Sequence, residues 1–190
     1  MILFSAPSGC GKTTIVDRLL KRHPDWVRSV SATTRPPRAG EKEGRDYFFL
    51  SPRTFKQMQS SGELLESARV FGHDYGTPKA FVLGRLKEGK NVILAIDVQG
   101  ADQVRKISEL KGSALTFFIL PPSVKVLRER LEGRKTESPG EIQRRIEAAQ
   151  EEIKAAQLYD YAIVNQNLDK TIFKIEECVE KVQKKKKKRR

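Results

Sequence analysis

The sequence is poor in the residues that staple or metallate small proteins. Its two cysteines, Cys10 and Cys178, lie far apart with no paired-thiol spacing, which excludes a disulfide framework and points to a reduced, cytoplasmic setting. His23 and His73 stand alone, with no ligand partner at metal-site spacing, so neither is assigned to a metal. No apolar run approaches the roughly 18 residues that a spanning helix needs. Nothing before Phe4 resembles a cleavable leader, so neither a membrane segment nor a targeting segment is expected. Internal repeats are absent, and the one low-complexity stretch is the basic terminus.

Cations outnumber acids, and the formal net charge is +13. The run Lys184 to Arg190 supplies seven of those charges. Such a run repels itself, so residues 184–190 are expected to form a disordered tail that makes at most non-specific contact with polyanions. The remaining 183 residues carry +6, a balance that suits a protein handling several phosphates at once.

Apolar segments at Met1–Phe4, Asn91–Ile96, Ala114–Leu120 and Tyr161–Val164 read as short buried strands separated by helix-length connections. This is the pattern of an α/β fold with a doubly wound parallel sheet covered on both faces. Helix starts are marked by Thr77-Pro78, leading to Leu86, by Ser123, leading to Leu131, and by Asp169. Ser138-Pro139-Gly140-Glu141 is a capping box that opens a long helix through Leu158. Residues 32–77 are rich in glycine and proline, with a short helix near Pro52–Gln59 and β-like runs at Tyr47–Leu50 and Leu65–Phe71. They read as an inserted, mainly β lobe. Residues 132–145 read as a small helical lid, which leaves a core of residues 1–31, 78–131 and 146–183 within one domain of residues 1–183.

The stretch Ala6-Pro7-Ser8-Gly9-Cys10-Gly11-Lys12-Thr13 follows the apolar opening and runs into a helical pattern, Thr14 to Lys21. Strand, glycine loop and helix in that order are the context of a P-loop. Small residues let backbone N–H groups turn inward around a polyphosphate, and the helix presents its positive end to the same anion. Lys12 then bridges the outer phosphates, and Thr13 supplies a hydroxyl to Mg²⁺. Ala6 stands where the pattern has its first glycine, so the loop closes provided residue 6 keeps a negative φ. Cys10, beside a lysine and a helix N-terminus, is either a thiol of lowered pKa or an outward side chain to which the loop is indifferent.

A P-loop specifies a nucleotide phosphate and nothing further. The stretch Ser29 to Glu41 offers hydroxyls and then Arg35 and Arg38 around Pro36-Pro37. Together with Gly44-Arg45-Asp46-Tyr47-Phe48-Phe49 it resembles the guanylate kinases closely. Glu66, Tyr75-Gly76-Thr77, Ile96-Asp97-Val98-Gln99-Gly100, Leu131-Glu132-Gly133-Arg134 and Ile163-Val164-Asn165 extend the resemblance over nearly the whole chain. The resemblance implies a P-loop nucleoside monophosphate kinase that moves a phosphoryl group from ATP to GMP, with Mg²⁺ entering alongside ATP. It gives ATP the residues Ala6, Pro7, Ser8, Gly9, Cys10, Gly11, Lys12, Thr13 and Thr14, with Asn165 near the adenine. Lys12, Arg130, Arg134 and Arg145 fall to the transferring phosphoryl group. Lobe 32–77 becomes the GMP-binding lobe: Arg35, Arg38, Tyr47 and Tyr75 match contacts to the monophosphate, and Ser31, Glu66 and Thr77 contacts to the base. Guanine offers N1–H and N2–H₂ side by side, which one carboxylate accepts as a pair; adenine has neither. Taken alone, Glu66 reads better as a solvated strand residue; the tyrosines also read as lobe core with a hydroxyl at the rim, and Asn165 as a turn residue.

One departure concerns the metal. The strand Val92 to Val98 resembles a family strand that ends in an acid, one residue, then Asp, but this chain reads Ala95-Ile96-Asp97. If positions 95 and 97 share a strand face, the missing carboxylate leaves Asp97, whose partner is either the guanine edge or a metal-bound water, without its neighbour. An enzyme that needs elevated Mg²⁺ is the expectation. The rival reading is a guanylate-kinase-like binding module that has lost turnover; the intact ATP half, Lys12, Thr13, Arg134 and Arg145, argues against it. The sequence carries no signal for monomer or homo-oligomer. Deleting residues 184–190 is expected to leave kcat unchanged and to abolish any salt-sensitive RNA binding, and a large loss of kcat would make the basic run a working part of the enzyme.

Overall fold

The computed structural model describes residues 1–110, 112–133 and 138–187. They form two compact units, Met1–Leu3 with Pro24–Ala114, and Phe4–His23 with the described residues from Leu115 on.

In the first unit, β1 (Ile2–Ser5) contributes its opening residues to a sheet in the order β2 (Val27–Arg28), β7 (Val92–Ala95), β1. β2 runs parallel to β7, with Val27 opposite Val92. Val92, Ile93 and Leu94 have no solvent exposure, as expected of a parallel strand covered on both faces. A second sheet has the order β4 (Tyr47–Phe49), β3 (Ser31–Thr33), β6 (His73–Pro78), β5 (Leu64–Val70). β6 is antiparallel to both neighbours, placing Tyr75 between Thr33 and Ala68, and Thr77 opposite Glu66. Three helices complete the unit: α2 (Pro52–Ser60), α3 (Lys79–Lys87) and α4 (Val98–Lys106). α2 starts as its sequence requires, with Ser51 accepting from the Thr54 N–H and proline in the first turn.

In the second unit, the end of β1 lies beside β8 (Leu115–Leu120), which pairs in parallel with β9 (Tyr161–Val164). Phe4, Phe117 and Tyr161 stack across the three strands, at centroid distances of 5.2 and 5.4 Å. The helices are α1 (Lys12–Arg22), α5 (Val124–Glu132), α6 (Pro139–Lys154) and α7 (Leu168–Lys187). Ser138 and Glu141 form the expected capping box at α6. Arg22 and His23 at the end of α1 both reach Glu176 of α7.

Four expectations change. β7 stops at Ala95, and Asp97 begins a helix, α4, by accepting the Gly100 N–H at 2.9 Å. Ala95 therefore ends a strand while Asp97 caps a helix, so the two do not lie together on one strand as expected. α3 has Pro78 as its N-cap, with no side-chain cap, because Thr77 belongs to β6 and its hydroxyl donates to Glu66. α6 ends at Lys154, and Ala155–Leu158 tighten into a 3₁₀ turn. α7 carries the basic run on to Lys187, with Lys184 paired to Glu180 at 3.4 Å. Residues 188–190 lie outside the described residues.

Phe117 has no solvent exposure and joins the stack from both sides. Phe117→Ala is expected to cost about 3–5 kcal/mol, read as a lowered urea midpoint; an unchanged midpoint would mean that the stack does not hold this unit.

Candidate active site

The donor half lies in the second unit. Gly9 and Gly11 take φ of 93° and 88°, the left-handed conformation that folds the loop back. Each is also hemmed in: a Cβ on Gly9 would stand 2.9 Å from Leu127, and one on Gly11 2.6 Å from Asn165 Nδ2. Ala6 is outside the positive-φ set, so the condition on its closing the loop is met. No side chain caps α1 and no acid stands in its first turn, which leaves a helix start suited to an anion. Lys12 opens that helix half-buried, and Thr13 and Thr14 are exposed beside it. Arg145 Nη1 donates to Ser8 Oγ at 3.1 Å, bringing α6 to the loop. Arg130 Nη2 donates to the Asn165 carbonyl at 3.0 Å, and its Nη1 is buried without a hydrogen-bond partner among the described residues.

Asn165 is the strut of this half. Its Nδ2 donates to the Cys10 carbonyl at 2.9 Å, and its Oδ1 accepts from the Thr171 hydroxyl at 3.2 Å. Both ends of the amide are engaged inside the protein, whereas the resemblance places it near adenine. Cys10 is fully buried, so the outward side chain is not the conformation seen. Arg128 donates to Gln143 at 2.7 Å, tying α5 to α6.

The residues expected at the phosphoryl acceptor lie in the first unit, in two clusters. In one, Arg35, largely buried, donates from Nε to Tyr75 Oη at 3.2 Å and lies 5.4 Å from the centre of the Tyr47 ring. The two tyrosine rings meet edge to face at 6.0 Å. Burial, with Tyr75 adding to it, pushes the Tyr47 phenol above its ordinary pKa, so it remains an O–H donor. Glu41 accepts from Arg35 Nη2 at 2.8 and 2.9 Å and from the Arg38 N–H at 2.7 Å. Burial alone would raise that carboxyl, but the hydrogen bonds from Arg35 and Arg38 hold it below its ordinary range. In the sequence Glu41 is visible only as part of a motif; its spacing of three from Arg38 is the signal for a turn that folds it back. Arg38 itself is exposed.

In the other cluster, Glu66 is 4% exposed and accepts from the Thr77 hydroxyl at 2.6 Å. Asp97 stands nearby on α4, its Oδ2 accepting from Gln99 Nε2 at 3.1 Å. Ser31 opens β3 opposite Tyr47 of β4. Arg134 lies outside the described residues.

The guanylate kinase family model matches residues 1–182. A guanylate kinase from Wolbachia sp. subsp. Brugia malayi is 43% identical over 181 residues, covering 95% of this chain and 92% of that protein. The chain belongs to the guanylate kinase family. A relative from Caldanaerobacter subterraneus subsp. tengcongensis is 46% identical over 175 residues, covering 92% of this chain and 84% of its own. The crystal structure of guanylate kinase from Anaplasma phagocytophilum superposes with a TM-score of 0.80 at 33% identity, covering 96% of this chain and 85% of that one. Family membership makes the chain an enzyme, a nucleotide-binding kinase of the transferase class, on an α/β fold with a parallel sheet. No described helix is long and apolar enough to cross a membrane.

The hydroxyl of Thr13 is a hard oxygen donor of the kind Mg²⁺ accepts. Among the described residues no three His, Cys, Asp or Glu side chains gather as a metal cluster. The Thr13 hydroxyl fits an ion that nucleotide phosphates also hold. Asn165→Ala removes the donor to the Cys10 carbonyl and leaves that buried group unsatisfied. We expect the KM for ATP to rise about tenfold while the affinity for GMP holds; unchanged ATP kinetics would show that the loop stands without its strut.

Proposed function

We propose that the chain transfers the γ-phosphoryl group of ATP to GMP, giving ADP and GDP, with ATP held on the second unit and GMP on the first. The buried Glu66 carboxylate, already engaged by Thr77, is the observation that carries the choice of acceptor. A carboxylate there accepts N1–H and N2–H₂ of guanine together, whereas adenine offers it neither donor. Thr77 and Ser31 supply hydroxyls to the same base, and Asp97 borders it. Arg35, Arg38, Tyr47 and Tyr75 take the monophosphate; guanidinium forks match phosphate oxygens better than ammonium groups do.

On the donor side, the backbone of residues 6–13, the start of α1 and Lys12 hold the β- and γ-phosphates. A GMP phosphate oxygen attacks the γ-phosphorus, the bond to the β–γ bridging oxygen breaks, and ADP leaves with that electron pair. Arg130, Arg134 and Arg145 absorb charge on the transferring group, the part played by an arginine finger supplied within one chain. Mg²⁺, held by the Thr13 hydroxyl and the phosphates, would neutralise charge on the β- and γ-oxygens. Lobe 32–77 and lid 132–145 are the parts whose closure keeps water from the phosphoryl group. This reaction places the protein in purine nucleotide metabolism, in the cytoplasm where its substrates are made and used.

Purified protein given ATP, Mg²⁺ and each nucleoside monophosphate in turn should release ADP with GMP far faster than with AMP, CMP or UMP. Glu66→Gln, whose amide accepts one guanine donor and opposes the other, should lower kcat/KM for GMP by about 10- to 100-fold and leave the KM for ATP unchanged. Equal turnover with AMP, or an indifferent Glu66→Gln, would overturn the assignment.

A further inference from the structure

Glu66 can lie where it does because the residue facing it has no side chain. Gly100 is in the first turn of α4, and a Cβ there would overlap Glu66 Oε2, stand 2.8 Å from Glu66 Cδ and 3.3 Å from Asp97 Oδ1. The backbone does not ask for glycine at this position: Gly100 lies outside the left-handed region, and in a helix alanine is the better former. By contrast, a Cβ on Gly84, in the middle of α3, would have nothing within 4 Å of it. The requirement at 100 is therefore for space, set by the Glu66 carboxylate.

α4 has little room to retreat from that carboxylate. One residue beyond Glu66, the Gln103 side chain donates to the Ser67 carbonyl at 2.6 Å and accepts from the Ser67 N–H at 3.0 Å. Gln99 adds a hydrogen bond to the Arg69 carbonyl at 3.3 Å. These amides lock α4 to β5 in one register, and in that register Gly100 meets Glu66. On the other side Thr77 holds Oε1, so the carboxylate is fixed between a hydroxyl and a bare stretch of helix.

We propose that Gly100 is a specificity-determining residue: lacking a side chain, it lets the Glu66 carboxylate lie flat against α4 in the orientation that accepts both guanine donors. Gly100 is a positioning residue, since it acts through Glu66. Its role rests on Glu66 reading the guanine edge, as proposed for the acceptor half.

The test compares binding of GMP with binding of IMP, whose base keeps N1–H but lacks the 2-amino group, by titration calorimetry on the full chain. Gly100→Ala should weaken GMP by about 10- to 100-fold and IMP by less, so that the preference for GMP over IMP falls about tenfold. Gly84→Ala should change neither, and ATP binding should be unaffected in both variants. Gly100→Ala that binds GMP normally, or loses GMP and IMP in equal proportion, overturns the proposal. Should Gly100→Ala alone fail to fold, the same substitution in a Glu66→Asp background, where the shorter acid removes the overlap, should fold and bind GMP as Glu66→Asp does. A further loss in that background would show that the methyl acts on something other than residue 66. Glu66→Gln separates the two ideas: if it leaves the GMP preference intact, the reading of Glu66 fails, and if it lowers the preference while Gly100→Ala does not, only the role of Gly100 fails.

Discussion

A carboxylate taken out of water must be answered by hydrogen bonds, and the first unit holds one such group. Glu66 lies on β5, and the register of β6 puts Thr77 opposite it. Two residues before Thr77 on β6, and so on the same face, comes Tyr75, the partner of Arg35. A single strand thus spaces the Glu66–Thr77 cluster from the Arg35–Tyr75 cluster, and a slip of one residue in its pairing would turn both side chains to the opposite face. The spacing of the two clusters is set by the period of a β-strand.

The donor half obeys a different constraint. Its loop is shaped by two glycines at positive φ, but the shape is held by Asn165, which arrives from beyond the last strand and binds both the Cys10 carbonyl and Thr171. The phosphate loop is local in sequence, while its support comes from 155 residues away. The close approach at Gly11 has the same origin: it is glycine both for its backbone angle and because the strut's amide occupies the space where a methyl would go.

The sequence is legible where function requires residues close together in the chain. Ala6 to Thr13, the Arg35–Arg38 pair and the Ser138–Glu141 capping box can all be read in place, because each is a local pattern with a local cause. What the sequence hides is non-local. Asp97 reads as a strand residue because an apolar run precedes it, whereas its carboxylate caps α4. Thr77 reads as a cap because Thr-Pro commonly starts helices, yet its hydroxyl is claimed by a glutamate on the neighbouring strand. Arg128 belongs to no motif, and its partner Gln143 stands on another helix. Gln103 gives no signal, since one amide on a helix matches no motif, and its partner is a backbone that only the fold brings near.

That glutamine has another consequence. β5 is an outer strand of its sheet, and such a strand exposes a ladder of N–H and C=O groups that invites a strand from another molecule. Gln103 carries a carboxamide, the same donor and acceptor pair as a peptide bond, and sets both against Ser67. It behaves as a strand one residue long, sealing the edge at the point where an incoming chain would begin to pair. Beside Glu66 the edge is thereby closed at Ser67 by a side chain that imitates the backbone it keeps out.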